Sequence, residues 1–311
     1  MTSPPYFGLR DFGGHRHWFD GDPKCVHDRK VTHRRSTASC SKCGAWWGQL
    51  GLEYSVKQYV EHLTAILAEV RRCLREDGTL WLVLGDSYRE KRLLGVPHLV
   101  VQRLQKQGWL LRSEIVWHKS SALPEALHDR PTRSTESVFL LSKNGRYYYD
   151  RHALTEDSGA NLRNVWSIQA RGDGPSEHSA VFPLELPRRA IVLGTSEGGA
   201  CGNCGTPLNR VTRKRVKASE VNRPARYGNT GRGHSGATVP SLPTPSYEHL
   251  GWERSCQCLT TRDVPCTVLD PFAGSGTTLS VASRLHRNFI GVELVKKYKA
   301  GMVARLDRTD G

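Results

Sequence analysis

The segment Ser3-Pro4-Pro5-Tyr6, at the N-terminal end of the chain, is suited to holding an amino group. Its prolines fix two φ angles and lack amide donors, so the Ser3 hydroxyl and the Pro4 carbonyl can act as acceptors without competing donors. An amino group that donates to both acceptors keeps its nitrogen lone pair for attack on an electrophile. Tyr6 adds an aromatic face on which a flat ring can stack. Taken alone, this pattern is as compatible with a proline turn as with a catalytic site.

Residues 268–278 form an apolar run that enters a turn of small residues. Ligands of doubly wound sheets bind at the carboxyl ends of the strands, where Gly274 and Gly276 would let the backbone approach a ligand. Glu293 ends the next predicted strand, so its carboxylate can accept hydrogen bonds from both hydroxyls of a ribose. The turn lacks the Gly-Lys-Ser/Thr ending of a phosphate-binding loop. We therefore predict a site for a ligand that contains adenosine.

Most of the nine cysteines fall into two sets with the spacing of zinc ligands. Two close pairs can bring four ligands to one point, as tetrahedral zinc requires. The predicted ligands are Cys25, His27, Cys40 and Cys43 in the first set, and Cys201, Cys204, Cys256 and Cys258 in the second. His33 is an alternative to His27, and reduced thiols with accidental spacing are the alternative to both sites. Cys73 and Cys266 lie in apolar stretches, which predicts that they are buried in the core.

Periodicity predicts the elements that position these residues, and their order is that of an α/β protein. A continuously apolar strand over 79–84 would place Gly85-Asp86-Ser87 at the carboxyl edge of a sheet. Asn144-Gly145 predicts a hairpin turn from the preceding strand into Tyr147-Tyr148-Tyr149. The other predicted elements are helices over 56–75, 97–107, 184–193 and from 276, strands over 109–118, 136–142, 266–270 and 289–293, and a last helix.

The chain has a net charge of +15 and a pI near 9.6, which favours a polyanionic partner but does not separate DNA from RNA. A run of about 18 apolar residues, as a membrane span needs, is absent from the sequence. The first residues also lack the pattern of a signal peptide. We therefore expect a cytoplasmic protein.

Residues 195–262 differ from the rest in being rich in glycine, proline, serine, threonine and basic residues. A solvated linker is one interpretation. The cysteine pairs at both ends favour an insert closed by zinc, with a basic loop that can lie along a phosphate backbone. Eight of the basic residues of this segment fall within a short span: Arg210, Arg213, Lys214, Arg215, Lys217, Arg223, Arg226 and Arg232.

The motifs together resemble those of the beta-group DNA amino-methyltransferases, in which the catalytic motif precedes the cofactor motif. The matching segments are Ser3–Tyr6, Gly85–Ser87, Arg133–Glu136, His178–Pro183 with Leu184–Pro187, Asp270–Thr278 and Gly291–Leu294. The resemblance implies a Rossmann-like S-adenosylmethionine-dependent methyltransferase fold, permuted, with a mostly parallel sheet and an antiparallel hairpin. The two predicted zinc-binding inserts would be additions to that fold.

The resemblance also implies the chemistry and its residues. A methyl group would pass from S-adenosyl-L-methionine to the exocyclic amino group of a base flipped out of double-stranded DNA. In that family a serine at the position of Ser3 usually accompanies cytosine-N4 methylation, with adenine N6 as the alternative. The implied catalytic residues are Ser3, Pro4, Pro5 and Tyr6, and the implied cofactor-binding residues are Phe182, Asp270, Pro271, Phe272, Gly274, Ser275, Gly276, Thr277 and Glu293.

Some alternatives stay open at the level of sequence. The family has a sheet strand before the catalytic loop, whereas only Met1 and Thr2 precede Ser3, so we expect either a late recorded start or a missing strand. A methyltransferase acting on RNA or protein, and a catalytically weak zinc-ribbon DNA-binding protein that keeps the fold, are rival functions. The recognition sequence, a cognate restriction endonuclease and the oligomeric state are not predicted.

The expected organisation has five parts. Residues 1–9 are the catalytic loop, 10–50 a zinc-binding insert, 51–194 the catalytic half of the methyltransferase domain, 195–262 the basic zinc-closed insert and possible DNA contact region, and 263–311 the cofactor-binding half.

Overall fold

Helices and short strands alternate along the chain of the computed structural model, which describes residues 1–12, 16–28, 30–31, 38–122, 125–126, 128–155, 160–170, 182–216, 245–259 and 262–307. The elements are β1 (His17–Phe19), β2 (Lys30–Val31), β3 (Ala38–Ser39), β4 (Trp46–Gly48), α1 (Val56–Cys73), β5 (Thr79–Leu84), β6 (Tyr88–Arg89), β7 (Arg92–Leu93), α2 (Val96–Lys106), β8 (Leu110–Lys119), β9 (Thr135–Ser142), β10 (Val165–Ile168), α3 (Glu185–Gly194), β11 (Ala200–Cys201), β12 (Asn209–Val216), β13 (Pro245–Glu253), β14 (Asp263–Val264), β15 (Thr267–Asp270), α4 (Thr277–Arg284), β16 (Asn288–Gly291) and α5 (Lys296–Asp307).

The central sheet has the strand order β10-β8-β9-β5. Strand β9 runs antiparallel to both of its neighbours, whereas β8 and β10 are parallel, as are β15 and β16 in a separate pair. The prediction of a hairpin at Asn144-Gly145 is wrong, because Tyr147–Tyr149 form no strand and the Tyr148 N–H donates to the Asp77 carbonyl at 2.8 Å. Both edges of β9 are already occupied, because its antiparallel partners are β8 and β5.

The N-terminal segment meets strands β5 and β15 at Thr2. Its backbone pairs in parallel with Leu82 of β5, donating to the Trp81 carbonyl at 3.0 Å and accepting from the Val83 N–H at 3.0 Å. On its other side the Thr2 hydroxyl donates to an Asp270 carboxylate oxygen at 2.6 Å. Thr2 therefore lies between β5 and the end of β15. A single bridge residue stands at the position where we expected either a late recorded start or a missing strand.

Strand β5 is apolar throughout because it is covered on both faces. Leu80, Leu82 and Leu84 enter one core cluster with the apolar stripe of α1 and with α2. Trp81 and Val83 point the other way, into a second cluster that contains residues of α3. Helix α1 begins where the Ser55 hydroxyl accepts from the Gln58 N–H at 3.2 Å, an N-cap contact that satisfies a free helix donor. These two layers of helix on one sheet confirm the α/β fold.

A small antiparallel sheet precedes α1, with the order β1-β4-β3-β2. It is joined to α1 through His62, whose side chain is only 1% exposed and contacts Glu53 at 3.0 Å and Asp20 at 2.8 Å. The imidazole also stacks on Phe19 and Trp46, with ring centroids at 4.6 and 5.3 Å. Burial lowers the pKa of His62, but the two carboxylates outweigh burial and leave the pKa raised.

Strands β12 and β13 form a two-stranded antiparallel ribbon inside the segment expected to be an insert or a linker. Its base is closed by pairing of β11 with β14, where Ala200 lies opposite Val264. Arg210 fixes the ribbon to the rest of the protein: it contacts Asp150 at 2.8 Å and Glu197 at 2.7 Å. The described part of the segment is therefore folded and attached, which argues against a solvated linker.

The two remaining cysteines differ in their environment. Cys266 is buried, as predicted, and burial raises the pKa of its thiol. The prediction for Cys73 is wrong, because it lies exposed in the last turn of α1, off the apolar stripe. Among the described residues, every helix is too short or too polar to cross a bilayer.

Candidate active site and cysteine clusters

The Ser3–Tyr6 loop follows directly from the Thr2 pairing, so it lies at the carboxyl end of β5. The Ser3 hydroxyl donates to the Tyr6 hydroxyl at 3.2 Å, and Tyr6 donates to Glu136 Oε2 at 2.8 Å. Glu136 also pairs through Oε1 with the Lys119 ammonium group. Burial and the neighbouring Glu136 carboxylate raise the pKa of Tyr6 well above its ordinary value, so its hydroxyl stays protonated.

The ring of Tyr6 lies directly over the backbone of Gly85. A Cβ atom at this glycine would meet Tyr6 Cε2 at 2.5 Å and Cδ2 at 2.7 Å, so only glycine fits. The Pro5 carbonyl accepts from the buried Tyr59 hydroxyl at 2.8 Å. Pro4 itself is buried. Contacts from two other elements thus hold the loop in one conformation.

Asp86, next to Gly85, has a structural role in the N-terminus of α2. One carboxylate oxygen accepts from the Ser87 and Val96 N–H groups at 2.9 and 3.0 Å, and the other from the Gly95 N–H at 2.9 Å. These bonds satisfy free donors at the start of the helix. Asp86 therefore orders the strand end beneath the Tyr6 ring.

The predicted ligand turn begins at Asp270, which is 1% exposed. One oxygen of its carboxylate accepts from Thr2 and from the Phe272 N–H, at 2.6 and 3.1 Å, so Asp270 joins this turn to the catalytic loop. Phe272 and Tyr6 both pack against the first core cluster. Pro271, which lies between Asp270 and Phe272 in the sequence, is half-buried. The structure thus brings both predicted sites together at one edge of the sheet, although 268 positions separate Thr2 from Asp270.

The far side of the turn is shaped by Glu293, which follows β16. Its two carboxylate oxygens each accept one backbone N–H, from Gly274 and from Val295, both at 2.7 Å. Each oxygen keeps a lone pair, so a pair of vicinal hydroxyls can still bind. Gly274 has a φ of +52°, a conformation that favours glycine.

The remaining predicted ligand-binding residues support the turn. Gly276 has a φ of +76°, and a Cβ there would meet Met302 of α5 at 2.6 Å, so this glycine is needed for helix packing. The Thr277 hydroxyl contacts the Ser275 hydroxyl at 3.2 Å and accepts from Arg305 at 3.0 Å. Phe182 packs against the second core cluster, and its preceding motif residues 178–181 lie outside the described part of the chain.

Comparison with known proteins decides the family. The model of the DNA methylase family N6_N4_Mtase matches residues 1–201 and 262–304. The chain belongs to this DNA methylase family.

Named relatives agree with this assignment. The methylase is 28% identical to the type II methyltransferase M.SmaI of Serratia marcescens over 96% of this chain and 80% of the relative. It is 35% identical to the type II methyltransferase M.Cfr9I of Citrobacter freundii over 64% of this chain and 66% of the relative. Among solved structures, the PvuII DNA methyltransferase, named as cytosine-N4-specific, superposes with a TM-score of 0.56 at 17% identity, over 98% of this chain and 77% of that chain. The last likeness supports the fold.

The first cysteine cluster of this methylase lies beside β3 and β4. The ligand atoms of Cys25, His27, Cys40 and Cys43 all lie within 4.8 Å of one another. The Cys25 and Cys40 sulfurs are 3.8 Å apart, and the Cys43 sulfur is 3.3 Å from His27 Nδ1. The alternative ligand His33 falls outside the described residues.

The second cluster closes the base of the β12–β13 ribbon, and three of its four cysteines lie in the segment 202–261 that the family match leaves out. The sulfurs of Cys201, Cys204, Cys256 and Cys258 also lie within 4.8 Å of one another. A tight turn brings the first two together, because the Gly205 N–H donates to the Cys201 carbonyl at 2.7 Å. The Thr206 hydroxyl, 3.2 Å from the sulfur, lowers the pKa of Cys204 to about 6, which favours the thiolate.

Three residues that contact the Ser3–Tyr6 loop, the glycine turn or Glu136 carried no signal in the sequence. Thr2, Lys119 and Tyr59 belong to ordinary strand or helix patterns, and only the three-dimensional contacts reveal their roles. Glu136 was part of a matching motif but had no assigned function. The available sequence signal was an acidic residue at the start of an apolar strand. In the structure the Glu136 side chain is 15% exposed.

Proposed function

We propose that this protein is a site-specific DNA methyltransferase that transfers a methyl group from S-adenosyl-L-methionine to the exocyclic amino group of a flipped base, with cytosine N4 as the favoured position. The observation that carries the proposal is the Thr2–Asp270 hydrogen bond, at 2.6 Å, which joins the Ser3–Tyr6 loop to the glycine turn. An amino nitrogen held by one motif can then face a donor held by the other.

The residues of the turn fit S-adenosyl-L-methionine. Glu293 keeps a lone pair on each oxygen for the ribose hydroxyls, and the Gly274 backbone beside it has no side chain to block the ligand. When bound, this molecule supplies a methyl carbon made electrophilic by its attachment to a positively charged sulfur. Asp270 and Phe272 would lie beside its amino-acid part, as the family resemblance implies.

The choice of cytosine over adenine is supported by Ser3. A serine at this position usually accompanies cytosine-N4 methylation in the family that the motifs resemble, and the similar PvuII enzyme is named as cytosine-N4-specific. Adenine N6 is the alternative, since both bases present an exocyclic amino group to the same pair of acceptors. The flipped base would stack on the Tyr6 ring.

Identification of the modified nucleoside tests the proposal. Purified protein is incubated with duplex DNA and methyl-labelled S-adenosyl-L-methionine, and the DNA is digested to nucleosides. We expect label in N4-methylcytosine, whereas label in N6-methyladenine supports the alternative. Label only in RNA or protein, or duplex binding with no transfer, would refute the function. Sequencing of the methylated DNA then gives the recognition sequence, at which resistance to cleavage tests for a cognate restriction endonuclease.

We propose further that both cysteine clusters bind structural zinc. Zinc–sulfur bonds of about 2.3 Å in a tetrahedron place the sulfurs about 3.8 Å apart, and the Cys25–Cys40 separation is 3.8 Å. Metal analysis of the protein purified without added chelator tests this. Two zinc ions per chain are expected, one after a Cys204→Ser substitution. Intact protein with no bound metal would refute both sites.

The insert over 195–262 is proposed to contact DNA. Arg213 and Lys214 are exposed on β12, whereas Arg210 and Arg215 are paired with carboxylates and serve the structure. Four further basic residues of the insert, at 217, 223, 226 and 232, lie outside the described part, and Arg254 is paired with Asp263. Each phosphate contact contributes to affinity and to its salt dependence.

A paired substitution tests this contact. Changing Arg213 and Lys214 to alanine is expected to weaken duplex binding and reduce its salt slope, with cofactor affinity unchanged. Arg103 and Lys106 are a matched control, because they are exposed at the end of α2 that leads into β8, at the sheet edge opposite the catalytic loop. Equal binding by the two double variants would refute the role of the ribbon.

The proposed division into five parts follows the elements. Residues 10–50 contain the β1–β4 sheet and the first cluster, and 195–262 contain β11 to β13 and the second. Segments 51–194 and 263–311 carry the two halves of the methyltransferase core, and 1–9 the catalytic loop between them.

A further inference from the structure

Hydrogen counting fixes the direction of the bonds around Tyr6. A carboxylate only accepts, so the single hydroxyl hydrogen of Tyr6 goes to Glu136, 2.8 Å away. The one hydrogen left for the 3.2 Å contact between the Ser3 and Tyr6 hydroxyls is then that of Ser3. Both hydrogens therefore point toward Glu136.

This direction sets the state of the Ser3 oxygen. Because its hydrogen is committed to Tyr6, both of its lone pairs are left for a donor on the substrate side. Lys119 pairs with the other oxygen of Glu136, so a charge-assisted contact holds the carboxylate at the end of the series. Ser3 is thereby held as an acceptor for an amino group.

We propose that Glu136 is the terminal proton acceptor of the methylation reaction, positioned to draw the proton of the target amino group through Ser3 and Tyr6. This inference rests on the proposed function of the same site. Glu136 acts through two hydroxyls, so it is a positioning residue and does not touch the base.

The step balances in atoms and charge. The amino nitrogen forms a bond to the methyl carbon, the carbon–sulfur bond breaks with its electron pair left on sulfur, and the nitrogen must lose one proton. That proton passes to Ser3 Oγ as the Ser3 proton passes to Tyr6 Oη and the Tyr6 proton to Glu136 Oε2. The products are a neutral methylamino group, a neutral thioether and a neutral Glu136 carboxylic acid.

The surroundings of Glu136 suit this role. The charged or titratable groups that contact it are Lys119 from β8 and Tyr6 from the catalytic loop. Its side chain is 15% exposed and that of Lys119 is 24% exposed, so the acid can return its proton to water after each turnover. Tyr6 conducts the proton without ionising, since burial raises its pKa.

Glu136→Gln is the decisive substitution. Glutamine keeps the shape and an acceptor for Tyr6, but it cannot take up a proton at neutral pH. We expect kcat to fall about 100-fold, the usual contribution of a proton acceptor, with unchanged affinity for duplex by fluorescence anisotropy and for S-adenosyl-L-methionine by calorimetry. Glu114→Gln is the matched control on the neighbouring strand, and it should keep the wild-type rate.

The pH profile separates proton transfer from mere positioning. A carboxylate that accepts the proton predicts an acidic limb in the pH profile of wild-type kcat, and Glu136→Gln should lack this limb. Tyr6→Phe should lower kcat by a similar factor, and the double variant should be no slower than either single one, because both interrupt the same series.

Three outcomes would overturn the relay while the enzyme stays active: a wild-type rate for Glu136→Gln, a retained acidic limb in that variant, or loss of its DNA or cofactor affinity. Absence of methylation by the wild-type protein is a different result, which overturns the proposed function itself.

Discussion

Replacing Gly85 with alanine tests whether the Tyr6 ring must lie where the structure places it. The added Cβ would sit 2.5 Å from Tyr6 Cε2. Carbon atoms pack at about 3.5–4.0 Å, so the ring would have to move by about 1 Å or more. The hydroxyl of Tyr6 is bonded to Glu136, which leaves the ring little freedom to move without breaking that contact.

The expected effect is on turnover more than on folding. Misplacement of a reacting group by about 1 Å can cost about 100-fold in rate, so we expect kcat of Gly85→Ala to fall by this order. Affinity for S-adenosyl-L-methionine should stay near wild type, because Glu293 and Gly274 lie in a different turn. The assay is single-turnover methylation of a duplex at saturating cofactor, with thermal unfolding measured in parallel.

Gly145→Ala is the control, since a Cβ at that exposed turn meets no atom within 4 Å. It should match the wild-type rate and unfolding temperature. A wild-type rate for Gly85→Ala, or equal loss of activity in both variants, would refute the requirement that the Tyr6 ring lies over Gly85.

Further predictions concern the contacts that hold the parts together. Thr2→Val removes the 2.6 Å donor to buried Asp270 and should lower the free energy of unfolding by about 1–3 kcal/mol in denaturant titrations, whereas Thr2→Ser, which keeps the hydroxyl, should lose less; equal losses would contradict the role of this bond. His62 has a raised pKa, so its stabilising effect is complete below its ordinary value of 6.5 and is lost as pH rises through the folded-state pKa. The free energy of unfolding, measured against pH, should therefore fall for wild type relative to His62→Gln as pH rises above 6.5. Parallel curves for the two proteins would contradict this role of His62. Chelation of zinc should weaken duplex binding, measured by anisotropy, more than cofactor binding, measured by calorimetry. Equal loss of both would mean that the clusters only support the fold.

The core elements could be predicted from the sequence because their patterns are local. The apolar run of β5 and the stripe of α1 each allow one buried arrangement. The prediction of a hairpin at Asn144-Gly145 was wrong for a non-local reason. The turn signal is strong, but β8 and β5 already pair with both edges of β9, so residues after the turn cannot pair with it. The ribbon β12–β13 was missed as strands because most residues of β12 are polar or charged.

The site was predictable where residues are neighbours in sequence. The Ser3–Tyr6 loop and the glycine turn are visible as motifs, and the two cysteine sets are visible from spacing. The network around them was not, since Glu136 contacts Tyr6 across 130 positions and Lys119 joins the network only by pairing with Glu136. Gly276 was predicted to let the backbone approach a ligand. In the structure its close neighbour is Met302 of α5, so it also allows this helix to pack, which no sequence motif indicates.

The β11–β14 pairing has a consequence for how this protein diversifies. Ala200 and Val264 face each other across one ladder step, so the polypeptide departs from the catalytic body and rejoins it at nearly the same point. Residues between them can therefore change in number without separating β11 from β14, because the two stems already lie side by side. If the insert contacts DNA as proposed, changes of length within it would alter that contact while the strands of the catalytic body keep their positions.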